Sequence, residues 1–327
     1  MKMLLRRSFL GGSVAAFAMA AAAGLAPARA EYPEKPIEFI IPFGAGGGAD
    51  VEGRLLAAEM EKILGGQIVP VNKPGGGGAI TYTHVKNAKP DGYTIAWNST
   101  SILTTTNIGN VPFKHDALDH IGQVEFQPMV FAVRADAPWQ DLKAFASECK
   151  ANADTLKIAN AGTGSTTHLG AIALANATGC KVIHLPVGIK RRNASVLSGE
   201  AHAMVAPLTG AVKLNKAGKI RILAVLDGER NEVVADAPTA KEQGFDAQLV
   251  LFRGLSVPKG TPDAVKAKLT DAMVKAANSA GFRDFAAKNG FTVRPLVGKD
   301  FDNMMVRTDE HVVGIMKSAG LYQSKAN

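Results

Sequence analysis

The stretch from Pro36 to Asp50, PIEFIIPFGAGGGAD, constrains this chain more than any other, because a short apolar strand runs directly into a glycine-rich turn and then into a helix. Glycine lets a backbone approach a ligand with no Cβ in the way, and the helix that follows offers unpaired N–H groups and the positive end of its dipole. The stretch therefore predicts an anion cradle at the carboxyl end of a strand. Which anion it takes depends on the rest of the chain.

A dinucleotide is one candidate, since Gly44-x-Gly46-x-x-Ala49 fits the Rossmann fingerprint in the right strand-to-helix setting. That reading makes the chain an NAD(P)-binding oxidoreductase. It needs an acid at the end of the second strand to hold the ribose, and Asn72-Lys73 stands there instead. Other enzyme classes fail on residue types. Gly164-Ser165 is flanked by Thr163 and Thr167, which rules out a nucleophile elbow, and no Gly-Lys-Ser/Thr marks a phosphate loop. The seven histidines and two cysteines show no metal-ligand spacing, so neither a metal nor a cofactor is expected.

Residues 1–30 read as an export signal: Lys2, Arg6 and Arg7, then an apolar run from Phe9 to Leu25, then a small-residue cleavage site at Ala28-Arg29-Ala30. Arg6-Arg7-Ser8-Phe9-Leu10 resembles a twin-arginine signal, although Sec signals also carry such pairs. Cleavage after Ala30 would place the protein in the periplasm. It also removes four cations and no acids, so the formal charge of +8 falls by four to +4. That is too little for a nucleic-acid surface, for which only Lys190-Arg191-Arg192 comes near, and it suits small anionic ligands.

The roughly 297 residues that remain exceed what one core usually serves, so two domains are expected. Cys149 and Cys180 could close a disulfide loop of about 30 residues, stabilising by roughly 3 kcal/mol, or stand as two buried thiols.

In chain order the pattern is α/β. Asp50 to Leu64 reads as a helix with Leu56, Met60 and Ile63 on one face and Gly65-Gly66 as its stop. Gln67 to Asn72 is a strand, Ile80 to Asn87 a helix, and Tyr93 to Trp97 a strand that ends in Asn98-Ser99-Thr100-Ser101. Alternation of this kind implies a parallel sheet, with ligands beyond the carboxyl ends of its strands. Phe43-Gly44-Ala45 and Asn98-Ser99-Thr100 should then share one rim, unless Asn98 to Ser101 only caps the next helix. Val124 to Phe126 and Met129 to Val133 read as extended crossings between domains, and Leu249 to Pro258 as the return. Between them Leu156 to Ala161 runs into Gly162-Thr163-Gly164-Ser165-Thr166-Thr167-His168 and a helix to Thr178, which repeats the opening device. Ala194 to Gly199 is expected to be a short helix, and 263–279, 281–289 and 299–318 amphipathic segments.

The order of motifs resembles the periplasmic substrate-binding receptors of tripartite tricarboxylate transporters, the Bug family. The motifs are Tyr32-Pro33, Pro42-Phe43 with Gly46-Gly47 and Asp50, Asn72-Lys73-Pro74-Gly75, Lys89-Pro90-Asp91-Gly92-Tyr93-Thr94, Gly164-Ser165 with His168-Leu169, His184-Leu185-Pro186 and Pro258-Lys259-Gly260-Thr261-Pro262. The resemblance implies a two-domain periplasmic binding protein of the type II-like α/β class. Each domain would be a mainly parallel sheet flanked by helices, with hinge strands between. Residues 31–128 plus 254–327 would form one domain and 129–253 the other.

It further implies that the two turns grip a small carboxylate, di- or tricarboxylate favoured, from opposite sides. The protein would deliver it to the transporter's membrane components, acting as a monomer and catalysing nothing. The candidate contacts are Phe43, Gly44, Ala45, Gly46 and Gly47 in the first turn and Gly164, Ser165, Thr166 and His168 in the second, with Asn98, Ser99, Pro207 and Arg253 between them. Asp50 joins the set as a group that caps backbone amides, since it would repel an anion. His168 could donate to a carboxylate or cap its helix. Arg253 could reach the cleft or sit in a structural ion pair, and Lys190-Arg191-Arg192 could supply countercharge or form a solvated face. Gly48-Ala49, the lack of an aromatic after His184, and His202 in place of an acid all depart from the family pattern.

Overall fold

A computed structural model describes residues 32–324 of the chain. The expected signal segment and its cleavage after Ala30 lie outside the described residues.

The first lobe opens with β1 (Ile37–Ile41), whose Ile37, Phe39, Ile40 and Ile41 are fully buried, as an apolar run covered on both faces requires. α1 (Gly48–Leu64) follows the glycine turn, buries Leu56, Ala57 and Met60, and ends at Gly65 in the left-handed conformation. β2 (Ile68–Asn72), α2 (Ala79–Lys86), β3 (Thr94–Ser99) and α3 (Ser101–Asn107) come next. β1 pairs in parallel with β2 on one side and β3 on the other.

β4 (Leu118–Arg134) then crosses between lobes as one unbroken strand. The second lobe comprises α4 (Leu142–Ala151), β5 (Lys157–Asn160), α5 (Thr166–Thr178), β6 (Ile183–Pro186), α6 (Gly188–Ser198), β7 (Ala203–Pro207), α7 (Leu208–Lys216) and β8 (Ile220–Leu226). The return strand β9 (Val250–Pro258) lies antiparallel beside β4 from Leu118↔Pro258 to Pro128↔Val250. α8 (Asp263–Ala277), α9 (Ala280–Asn289), β10 (Thr292–Val297) and α10 (Gly298–Ser318) complete the chain.

The two lobes repeat one plan. β2-β1-β3 and β6-β5-β7 are each three parallel strands, and each set is joined antiparallel to a crossing strand, β9 in the first lobe and β4 in the second. β4 changes sheets along its length: residues up to Pro128 pair with β9 and β10, and residues from Met129 pair with β7 and β8. The parallel character is therefore confined to three strands per lobe, and each sheet is mixed rather than mainly parallel. A strand arriving from the other lobe by a short path must run against its new neighbours.

Three apolar clusters support this plan. One lies under the first sheet (Phe39, Trp97, Met273, Phe282), one in the second lobe (Val130, Met204, Val225), and the third runs from Leu103 to Phe131, Phe145, Leu169 and Phe301, so it joins the lobes along one side. Cys149 and Cys180 are buried free thiols, and burial together with the neighbouring Cys180 pushes Cys149 up to about 12.

Candidate functional site

The first glycine turn leaves β1 and is braced from behind. Gly46 adopts φ +84°, and its amide donates to Asp50 Oδ2 at 3.0 Å. Asp50 Oδ1 accepts from Arg54 Nε at 2.8 Å and Asn72 Nδ2 at 2.9 Å, and the same Asn72 nitrogen donates to Phe43 O at 2.8 Å. Burial would raise the Asp50 carboxyl, but the Gly46 amide, Asn72 and Arg54 outweigh it and hold the group below the usual carboxylate range. Asp50 is thus spent on the turn, as its repulsion of an anion suggests. Asn72, where a dinucleotide fold needs its ribose acid, is committed to the same brace.

Nothing caps α1 itself. Its N-cap residue is Gly47, with no side chain to offer, and the amides of Gly48 and Ala49 find no acceptor among the described residues. A helix start of this kind binds anions through amides and dipole together.

The second turn, unlike the first, carries a side-chain helix cap and several hydrogen bonds of its own. Asn160 Oδ1 accepts from the Gly162 amide at 3.0 Å, and Ala161 N donates to Thr167 Oγ1 at 2.8 Å. Ser165 Oγ accepts from His168 N at 3.2 Å, which caps α5, and lies 2.9 Å from Thr167 Oγ1. Residues of the first lobe stitch onto this turn. Thr104 Oγ1 donates to Gly164 O, Ser101 Oγ lies 3.0 Å from Thr166 Oγ1, and Asn110 Nδ2 reaches Gly76 O at 3.1 Å and Thr163 O at 3.2 Å. Gly77, at φ +68°, permits the contact, because a Cβ there would lie 2.6 Å from Thr163 O.

Between the turns lies an inner compartment. Phe43, Gly48 and Ala49 line it from the first turn, Ala161 and Ser165 to Thr167 from the second, and Pro207, Leu251, Arg192 and Arg253 close it. Ile189 packs against the Gly47 backbone, 2.7 Å from where a Cβ would stand, and also lines two outer chambers. Those outer chambers hold Gly44 on one side and Ala45 to Gly47 on the other.

Several candidates lie elsewhere. Asn98 is buried toward the crossing strands, with Nδ2 donating to Ser256 Oγ at 2.7 Å and Oδ1 accepting from Ser99 N at 2.7 Å, so it faces away from the compartment. Ser99 Oγ accepts from Ser101 N at 3.2 Å. Ser99 thus holds the first amide of α3 while Asn98 ties β3 to β9, and Ser101, two residues after Ser99, is the side chain that reaches the rim. Gly164 and His168 stand behind the second turn. His168 Nδ1 accepts from Gly164 N at 3.4 Å, its ring meets His184 edge-on at 5.0 Å, and burial followed by the His184 charge lowers its pKa to about 4. It is neutral at ordinary pH and helps order the turn.

Arg253 does both things weighed for it: it lines the compartment and is held by acids. Its guanidinium contacts Glu52 from α1 and lies 3.4 Å from Glu125 of β4, all three buried. Burial first, and then the Glu52 charge, raise Glu125 well above the usual range, which leaves one carboxylate charge against one guanidinium. Gln127 links the acids to Thr209 of α7, donating to Glu52 Oε1 at 3.2 Å and accepting from Thr209 Oγ1 at 2.6 Å.

Sequence reasoning did not place Ser101, Thr167, Ile189 or Leu251 at the site, and left Arg192 among a charge run. A helical wheel begun at Gly188 would have found Arg192, since it shares a buried face with Ser195 and Val196 while Lys190 and Arg191 point outward. Among the described residues no three His, Cys, Asp or Glu side chains cluster to hold a metal, and no helix is long and apolar enough to cross a membrane.

Two lobes of one plan, joined by crossing strands with a compartment between their glycine turns, define a solute-binding protein. Residues 53–321 match the tripartite tricarboxylate transporter family receptor. A UPF0065 protein of Cupriavidus necator is 30% identical over 98% of this chain and 99% of that one. The periplasmic binding protein BugD has a similar structure, with 29% identity, a TM-score of 0.85, and coverage of 89% of this chain and 99% of the other. MatC of Rhodopseudomonas palustris with bound malate is 26% identical, with a TM-score of 0.78 over 89% of this chain and all of that one (100%). The chain belongs to the tripartite tricarboxylate transporter receptor family. The Rossmann alternative finds no support.

Proposed function

We propose that this receptor is exported to the periplasm, loses residues 1–30, and captures a small di- or tricarboxylate in the inner compartment for delivery to the membrane components of its transporter. Residues 31–128 with 254–327 act as one closing body and 129–253 as the other, hinged on β4 and β9. The protein works as a monomer and catalyses nothing. The observation that carries this reading is the uncapped start of α1, where Gly48 and Ala49 line a compartment together with Ser165, Thr166 and Thr167. A carboxylate there completes the helix cap that the sequence omits. The relative found with malate, a four-carbon diacid, fits the same chemistry.

Charge-assisted hydrogen bonds contribute roughly 1.5–3 kcal/mol each, so three or four of them, less ordering costs, reach about −8 kcal/mol, a micromolar affinity. A thermal-shift screen of carboxylates tests this. A ligand at a hundred times its Kd adds about 2.7 kcal/mol, enough to raise the melting temperature by several degrees. A screen in which NAD(P) stabilises the protein and no carboxylate does would overturn the reading.

A further inference from the structure

Two guanidiniums reach the inner compartment, and the protein treats their charges in opposite ways. Arg253 has Glu52 and Glu125 around it. Arg192, on α6, is 1% exposed and has no acid at all: its bonded partner is Asn193 Oδ1, 3.1 Å from Nε, and among the described residues no carboxylate stands within ion-pair distance. Gly210 leaves room for the head group, since a Cβ there would lie 3.1 Å from Arg192 Nη2. The neighbouring cations differ. Arg191 pairs with Glu200 at 2.7 Å on the surface, and Lys190 is exposed at the outer chambers.

A buried cation without an acid is costly to fold, and its charge persists here, because burial lowers Arg192 only to about 10. The anion that balances it has to come from the compartment. Phe43, Ile189 and Leu251 supply an apolar wall for a carbon skeleton beside it.

We infer that Arg192 is the specificity-determining residue of this receptor, the fork that takes a second carboxylate of a ligand whose first carboxylate lies against the Gly48 and Ala49 amides. The inference rests on the carboxylate-receptor reading above and assigns the ligand's second carboxylate to one residue, Arg192. Arginine suits the task because its planar fork meets a carboxylate with two parallel N–H donors, which lysine cannot match. A monocarboxylate satisfies the helix start and leaves Arg192 unbalanced.

The test compares wild type with Arg192→Met and Arg192→Lys by calorimetric titration and thermal shift. The probes are succinate, malate, glutarate, adipate, tricarballylate and phthalate, each beside its analogue with one carboxylate replaced by methyl. Wild type is expected to prefer a polyacid over its analogue by about a hundredfold. Arg192→Met should lower polyacid affinity by about the same factor and leave the analogue within about threefold, while Arg192→Lys falls about tenfold. Without ligand, Arg192→Met should melt at or above wild type, because an apolar side chain replaces an unbalanced buried charge. Unchanged polyacid affinity in Arg192→Met, or an equal loss for both members of a pair together with a lower melting temperature, overturns the assignment and leaves the receptor reading standing. If no probe moves wild type, the receptor reading falls, and the inference with it.

Discussion

The two glycine turns follow one backbone plan and differ in how they finish their helices. At the first, Gly47 is the N-cap and gives α1 nothing, while Asp50, Asn72 and Arg54 stiffen the loop from behind. At the second, Ser165 is the N-cap and its hydroxyl closes α5, and Thr104, Ser101 and Asn110 tie the loop to the other lobe. One atom at the N-cap, a side-chain oxygen, decides whether a helix start is a donor awaiting an acceptor or a finished joint. The first turn is the place for ligand charge. The second supplies hydroxyls, shape and the stitch between lobes, so stability and binding draw on different sides of one cleft.

The strongest way to break this comparison is Gly46→Val. Gly46 has open space around it but φ +84°, a region that a β-branched residue enters only under strain, about 1–3 kcal/mol. The turn should rearrange and pull the Gly48 and Ala49 amides off line, with a loss of affinity of about a hundredfold or more in calorimetry. Cooperative unfolding in urea should persist. Unchanged affinity would mean that the first turn does not hold the ligand.

Exchanging the caps sharpens the comparison with a smaller effect. Ser165→Ala removes the α5 cap and should cost about 1 kcal/mol in urea unfolding while shifting affinity only a few-fold. Gly47→Ser gives α1 the cap it lacks. Because Ile189 crowds that position, the variant belongs in an Ile189→Ala background and is compared with that background alone. It should gain up to about 0.5 kcal/mol and lose about tenfold in affinity, since its own hydroxyl competes for the ligand's donors. The two serine changes thus move stability in opposite senses. A gain in both stability and affinity from Gly47→Ser would remove the distinction between the turns.

Much of this architecture was legible in the chain. Both strand–glycine–helix units stood out because β1 and the Ile158-Ala159 centre of β5 run into glycines, and the crossings read as extended because Met129 to Val133 and Leu249 to Phe252 are apolar runs. β10 was not legible. Thr292 to Val297 has no buried residue among its six, so it offers no apolar period and is fixed only by pairing with β4. Asn98 misled for another reason: strand alternation turns it toward Ser256, and composition does not say which face of β3 meets the cleft. Arg192 was hidden by its own neighbours, since a run of cations reads as a solvated surface until helix phase sends one of them inward. Glu52 and Glu125 lie far apart in sequence, and only the close approach of α1 to the crossing strands makes them one buried group with Arg253.

Acid offers the mildest separation of the two turns. His168 behind the second turn is lowered to about 4 by burial and then by His184, which is itself lowered by burial and is the titratable ring against it. The folded chain therefore prefers the neutral ring, while the unfolded chain takes up a proton near pH 6.5. Stability linked to His168 is complete above about pH 6.5, declines as pH falls toward 4, and amounts to a loss of about 1 kcal/mol by pH 5.5. Asp50 behaves in the reverse way. Its carboxyl is held below the usual range, so its contribution survives until pH falls below the ordinary carboxylate pKa. Between pH 7.5 and 5.5 the second turn should loosen while the first stays intact. Urea midpoints of wild type across that range should fall more steeply than those of His168→Gln, whereas Asp50→Asn should shift the curve without changing its slope there. A slope that survives in His168→Gln would assign the titration to another group and leave the second turn indifferent to pH.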